Sequence, residues 1–127
     1  MNKTLNAFRA LLIGSLLAAA PASHASDSEQ AFLAAEAGDY GKATAAWSAL
    51  ADAGNAEAQF NLGLMYHSGV VGDVNESEAV KWYQKSAQSG YSKAQEFLAV
   101  AYREGWFGLP RDKQQADFWL KQLDAAN

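Results

Sequence analysis

The sequence contains no cysteine, and that absence removes disulfide frameworks, thiolate nucleophiles and cysteine-based metal sites together. Proline occurs only at Pro21 and Pro110, which leaves nearly the whole chain free to run as helix. Of the two histidines, His24 and His67, one alone lies beyond the amino-terminal apolar segment, so a zinc site fails on ligand count. Basic clusters are missing as well. Ten Lys and Arg against fourteen Asp and Glu give a formal charge of −4, a balance that speaks against nucleic acid and anionic membrane surfaces as partners. No strand is predicted, so no glycine-rich loop can follow one to cradle a phosphate. The one apolar run, Ala10 to Ala20, is too short for the roughly 20 residues that a span of hydrocarbon requires.

That short run has a different reading. Lys3 and Arg9 form a positive start, and Ser23 and Ala25 are small residues at the positions a signal peptidase reads. Residues 1–25 are therefore expected to be a signal peptide cleaved after Ala25, giving a secreted or periplasmic protein with no membrane insertion after cleavage. No cysteine follows to carry a lipid. Losing Lys3 and Arg9 takes the formal charge from −4 to −6, because residues 1–25 hold no acidic residue.

What is present is a repeat. Shifting the sequence by 36 places lays Ala58 on Ala94, Leu62 on Leu98, Tyr66 on Tyr102 and Gly69 on Gly105. One extra loop residue then makes the shift 37 and brings Asn75 onto Asp112, Ala79 onto Ala116 and Trp82 onto Trp119. A backward shift of 36 lays Ala79 on Ala43 and Ala87 on Ala51. Two amphipathic segments in such a period signify helical pairs that bury apolar faces against their neighbours. The expected fold is all-α, an α-solenoid of about three antiparallel helix pairs. It divides into residues 26–55 as a partial repeat, 56–90 as a full one and 91–127 as a terminal one.

Helices are predicted over Ala31–Ala37, Lys42–Ala53 and Ala56–Ser68, with Ser26 to Gln30 fraying. Asn75 and Asp112 stand three residues before Glu78 and Gln115, the spacing of a capping box, and are expected to open the helices that follow. Gly63 sits inside a helix where alanine is preferred by nearly 1 kcal/mol, which points to a neighbouring helix approaching too closely for a side chain. Trp47, Trp82, Tyr83 and Trp119 fall at repeating positions and read as core.

Ala58-x-x-x-Leu62-Gly63-x-x-Tyr66-x-x-Gly69, followed by Ala79-x-x-Trp82-Tyr83-x-Lys85-Ser86-Ala87-x-x-Gly90, resembles the Sel-1-like repeat, a relative of the tetratricopeptide repeat. A looser copy runs from Ala94 through Leu98, Tyr102 and Gly105 to Asp112, Ala116 and Trp119. The resemblance implies a right-handed superhelix that scaffolds protein complexes, without a reaction of its own in most members. The copies depart from the family pattern in their longer inter-helix loops, in Trp106-Phe107, and in the closing Asp124-Ala125-Ala126-Asn127.

In solenoids of this kind the first helix of each pair lines the concave surface. The helical wheel places Glu57, Phe60, Leu64 and His67 on that side, and Lys93, Glu96, Val100 and Arg103 at the equivalent positions of the next unit. They are candidates for a groove that holds a protein or peptide partner, with core packing as the competing reading for the apolar ones. Trp106 and Phe107, between two glycines, are either an aromatic contact site or a plug folded over the helices. Phe118, Leu120 and Leu123 offer a face for self-association through the last helix.

No catalytic residue, metal site or cofactor is expected. His67 and Ser68 are neighbours on a helix and project about 100° apart, which rules out a nucleophile–base dyad. The function this supports is an interaction scaffold or adaptor of the bacterial cell envelope. Its alternatives are a glycan-binding or peptidoglycan-associated module working through Trp106-Phe107 and, third, a hydrolase, a reading prompted by disulfide-rich relatives and weakened by the lack of cysteine.

Overall fold

The structure, a computed structural model, describes residues 26–126; the expected signal peptide, residues 1–25, lies outside the described residues. Six helices follow one another: α1 (Asp27–Glu36), α2 (Tyr40–Asp52), α3 (Ala56–Ser68), α4 (Glu76–Gln88), α5 (Ser92–Glu104) and α6 (Lys113–Ala125). No strand occurs among the described residues.

The local chemistry explains where they start. Asp39, Asn55, Asn75 and Asp112 each accept a hydrogen bond from the backbone N–H three residues on, satisfying a donor that the first turn leaves unpaired. The expectation that residues 26–30 fray is corrected. The Ser26 hydroxyl accepts from the Glu29 N–H while the Glu29 carboxylate accepts from the Ser26 N–H, so the first helix begins at Asp27 and not at Ala31. Likewise α2 begins at Tyr40, two residues before the predicted Lys42. Gly69 and Gly105 close α3 and α5 in the left-handed conformation, with φ of 67° and 73°.

Each helix packs chiefly on its neighbours in sequence, which makes the molecule quasi-one-dimensional: an α-solenoid of three pairs, α1–α2, α3–α4 and α5–α6. Trp47, Leu62, Met65, Tyr83 and Leu98 are its large, fully buried side chains, each contributing on the order of 1.5–3 kcal/mol by leaving water. Trp119 is buried too, whereas Trp82 is half-buried with the Lys85 ammonium 4.2 Å from its ring centroid. Gly63 behaves as its position in the helix implied. A Cβ there would stand 2.6 Å from the Tyr83 ring and 3.2 Å from the Ala79 carbonyl oxygen, so glycine is what lets α4 lie against α3.

One device joins successive pairs. Buried Gln59, on α3, donates from Nε2 to the Ala51 carbonyl at the end of α2 (3.2 Å), and buried Gln95, on α5, donates to the Ala87 carbonyl at the end of α4 (3.1 Å). Each adds a side-chain donor to a helix-end carbonyl that already accepts from the backbone N–H of Gly54 or Gly90, and so ties that helix end to the next pair.

Candidate protein-interaction surface

The predicted groove residues lie on two helices, Glu57, Phe60, Leu64 and His67 on α3 and Lys93, Glu96, Val100 and Arg103 on α5. They do not form one open strip. Phe60 is 8% exposed and Leu64 4%; the Phe60 ring lies against Tyr83 (5.3 Å between centroids), Tyr91 (5.5 Å) and Phe97 (6.2 Å). Phe60 thus belongs to the joint between the second and third pairs, and Leu64, one turn on, is buried in the same core, because in a stacked solenoid the side of a helix facing away from its own partner is covered by the next pair.

His67 belongs to the same joint. Its Nδ1 lies 3.3 Å from the Tyr83 hydroxyl, and its ring meets Phe107 edge-on at 4.3 Å. Burial lowers the imidazole from its usual range, opposed in part by the Glu76 carboxylate, and burial pushes the Tyr83 phenol far up. At neutral pH both groups are therefore uncharged, and a single hydrogen bond joins the hydroxyl to Nδ1, its direction set by the imidazole tautomer. Glu57, half-buried, lies near Tyr91, whose phenol is pushed up to about 12 by burial and, secondarily, by that carboxylate.

The Trp106-Phe107 pair is divided by the structure. Phe107 folds back, stacking on Phe97 at 5.0 Å, and it does so with φ of 57°, a left-handed conformation that a phenylalanine adopts at a cost. Trp106 stays 49% exposed. Sequence reasoning missed the resulting cluster of Phe60, His67, Tyr83, Tyr91, Phe97 and Phe107, whose members come from α3, α4, α5, the turn before α5 and the loop after it; periodicity on single helices carries no signal for such a meeting.

The third pair presents the equivalent positions open. Glu96 and Arg103 are exposed and Val100 is half-buried. Beside them a cleft of about 410 Å³ between α5 and α6 is lined by Ala99, Arg103, Arg111, Ala116, Asp117 and Leu120, among others. Its rim is polar and internally paired: Arg103 Nε lies 3.0 Å from Glu104 and Lys113 Nζ 2.7 Å from Asp117, exposed pairs worth little in stability. Among the described residues no group of three or more His, Cys, Asp or Glu is placed to hold a metal, and no helix is long and apolar enough to cross a membrane.

A nearest-neighbour stack of helical pairs with a short polar-rimmed cleft defines the class, a helical repeat protein. The chain belongs to the Sel1 repeat family, which it matches at residues 56–91 and 92–123. It is 37% identical over 70 residues to an F-box protein of Arabidopsis thaliana, covering 55% of this chain and 19% of that protein. Among solved structures, a protective antigen of uropathogenic Escherichia coli with the same repeat fold superposes with a TM-score of 0.62 at 34% identity, covering 70% of this chain and 19% of that one. A Sel1 repeat protein from Oxalobacter formigenes superposes with a TM-score of 0.62 over 85% of this chain and 100% of its own, at 24% identity, a likeness of fold. The chain thus spans about a fifth of the length of the Arabidopsis and Escherichia coli proteins. Proteins of this repeat family are generally protein–protein interaction modules.

Proposed function

We propose that this chain is an exported interaction module of the cell envelope, which holds a segment of a partner protein on the outer side of its third helix pair. Residues 1–25 act as the signal peptide, and cleavage after Ala25 releases a secreted or periplasmic protein. The observation that carries the reading is the contrast between two equivalent places. The joint beside α3 and α4 is filled by aromatic rings of the next pair, whereas the cleft beside α5 and α6 is open, with Glu96, Val100 and Arg103 next to it. Leu120, exposed on the side of α6 that carries Lys113 and Asp117, belongs to that surface, and self-association through α6 is the competing use of it.

The test is capture from a cross-linked envelope fraction with the wild-type chain beside Leu120→Asp and Val100→Asp, changes confined to exposed or half-buried positions. A discrete protein recovered by the wild type and lost with both variants is expected. An unchanged set of captured proteins refutes the surface. A second reading, binding of glycan strands through the loop, is favoured by the exposure of Trp106. Sedimentation with insoluble peptidoglycan that disappears in Trp106→Ala would establish it in place of the first.

A further inference from the structure

The second and third pairs can be superposed in sequence, and their clefts compared residue by residue. Gly63, His67, Ala79, Val80 and Tyr83 of the second pair correspond to Ala99, Arg103, Ala116, Asp117 and Leu120 of the third. In the second pair the space is filled in three layers. The Tyr83 ring lies over Gly63, close enough to exclude a Cβ. Phe97 packs on Tyr83 at 4.3 Å, and Phe107 stacks on Phe97 at 5.0 Å while meeting His67 at 4.3 Å. In the third pair leucine, shorter than tyrosine, stands in the innermost layer, and among the described residues nothing corresponds to the outer two. The open volume is about 410 Å³.

We infer that this cleft takes an aromatic side chain carried on a loop or extended segment of a partner protein, seated on Leu120, Ala99 and Ala116 with the Arg103 guanidinium against its ring. The inference rests on the interaction reading above and names the chemistry of its ligand. The second pair supplies the precedent, since the groups that fill its cleft are aromatic side chains and one of them, Phe107, comes from a loop. Arg103 takes the place of His67, so the edge-on contact made by Phe107 becomes a cation–π contact, for which arginine is well suited. Arg103, Arg111 and Lys113 are balanced by Glu104, Asp117 and the lining Asp112, so a segment of no particular charge fits between them. A further stacked helix pair does not fit. Asp117 and Asp124 occupy the positions of buried Val80 and Ala87, and a covering helix would strip both carboxylates of water.

The probe is the chain's own loop, the synthetic peptide Gly-Trp-Phe-Gly-Leu-Pro-Arg with blocked ends, titrated into 15N-labelled protein expressed from the full sequence. Amide shifts are expected at Ala99, Arg103, Ala116 and Leu120. They should weaken about tenfold in apparent affinity when both aromatics of the peptide are alanine, and to a similar degree in Leu120→Asp or Arg103→Ser, as loss of a ring contact implies. Unchanged helical circular dichroism shows that these surface variants are folded. Absence of shifts at the cleft, or equal binding of the alanine peptide, overturns the inference. Concentration-dependent shifts at the same residues without peptide also overturn it, since a second copy would then be the occupant. If the peptide fails while envelope capture is still abolished by Leu120→Asp, aromatic insertion falls and the interaction reading stands; peptide binding without any captured partner gives the reverse.

Discussion

The second and third helix pairs share the key positions of one repeat and live in different surroundings. Phe60 is buried under three rings, and its counterpart Glu96 is in water. Tyr83 is fully buried where Leu120 is 44% exposed, and Val80 and Ala87 are buried where Asp117 is only half so and Asp124 is exposed. The helical framework is held by the positions that agree, such as Ala58 with Ala94 and Leu62 with Leu98, all buried. The positions that disagree record whether something lies on top. In a stacked array, a motif residue is core or surface according to its neighbour, not according to its place on its own helix.

The largest test of this contrast is a matched pair of truncations. Phe60→Ala is expected to cost about 3–5 kcal/mol, the range for deleting a buried aromatic, and Glu96→Ala to change stability by less than about 0.5 kcal/mol. Urea unfolding followed by circular dichroism measures both, and similar losses would erase the distinction between the pairs. Next comes the close approach of helices. Gly63→Ala, whose new methyl meets the Tyr83 ring, should lose about 1–3 kcal/mol through overpacking, while the converse Ala99→Gly should lose about 1–2 kcal/mol, the helix-propensity difference together with one buried methyl.

A smaller effect probes where the pairs are alike. Gln59→Leu and Gln95→Leu each remove one buried hydrogen bond to a helix-end carbonyl that keeps its Gly54 or Gly90 N–H, and each is expected to cost about 0.5–1.5 kcal/mol. Unequal losses would mean that the two joints are not built the same way. The smallest effect is with pH. Burial holds His67 below its ordinary 6.5 in the folded protein, so as pH falls through that value the unfolded chain takes up a proton that the folded chain refuses. Stability is full above about 6.5 and declines below it until the lowered folded value is passed. His67→Gln should flatten this part of a urea-midpoint profile between pH 7.5 and 5. The third pair has no histidine at the corresponding place, where Arg103 stands instead.

Much of the framework was legible before any coordinates. The bounds of α3, the caps at Asn75 and Asp112 and the close approach at Gly63 follow from rules that act within a few residues or one helix turn. The start of α1 is legible too, since Ser26 and Glu29 have capping-box spacing, although the polar run around them reads as a fraying end. The groove was misplaced for a different reason. A helical wheel finds that Phe60 and Leu64 share a side of α3, yet what covers that side is set by Tyr91, Phe97 and Phe107, up to 47 positions further on. Charge at Glu96 and Arg103 was the available sign that the two units differ, because a face that water reaches tolerates what a covered one expels.

The glutamine device has a consequence for how such a protein is inherited. Gln59 reaches back eight residues to Ala51, and Gln95 eight residues to Ala87, so each joint is encoded within a single short stretch of gene. A duplication of about 36 codons copies the connector together with the two parts it connects. A copied unit brings its own glutamine link, whereas the rings that cover Phe60 come from the unit after it, so the aromatic and charged side chains at the outer rim are the material on which divergence acts.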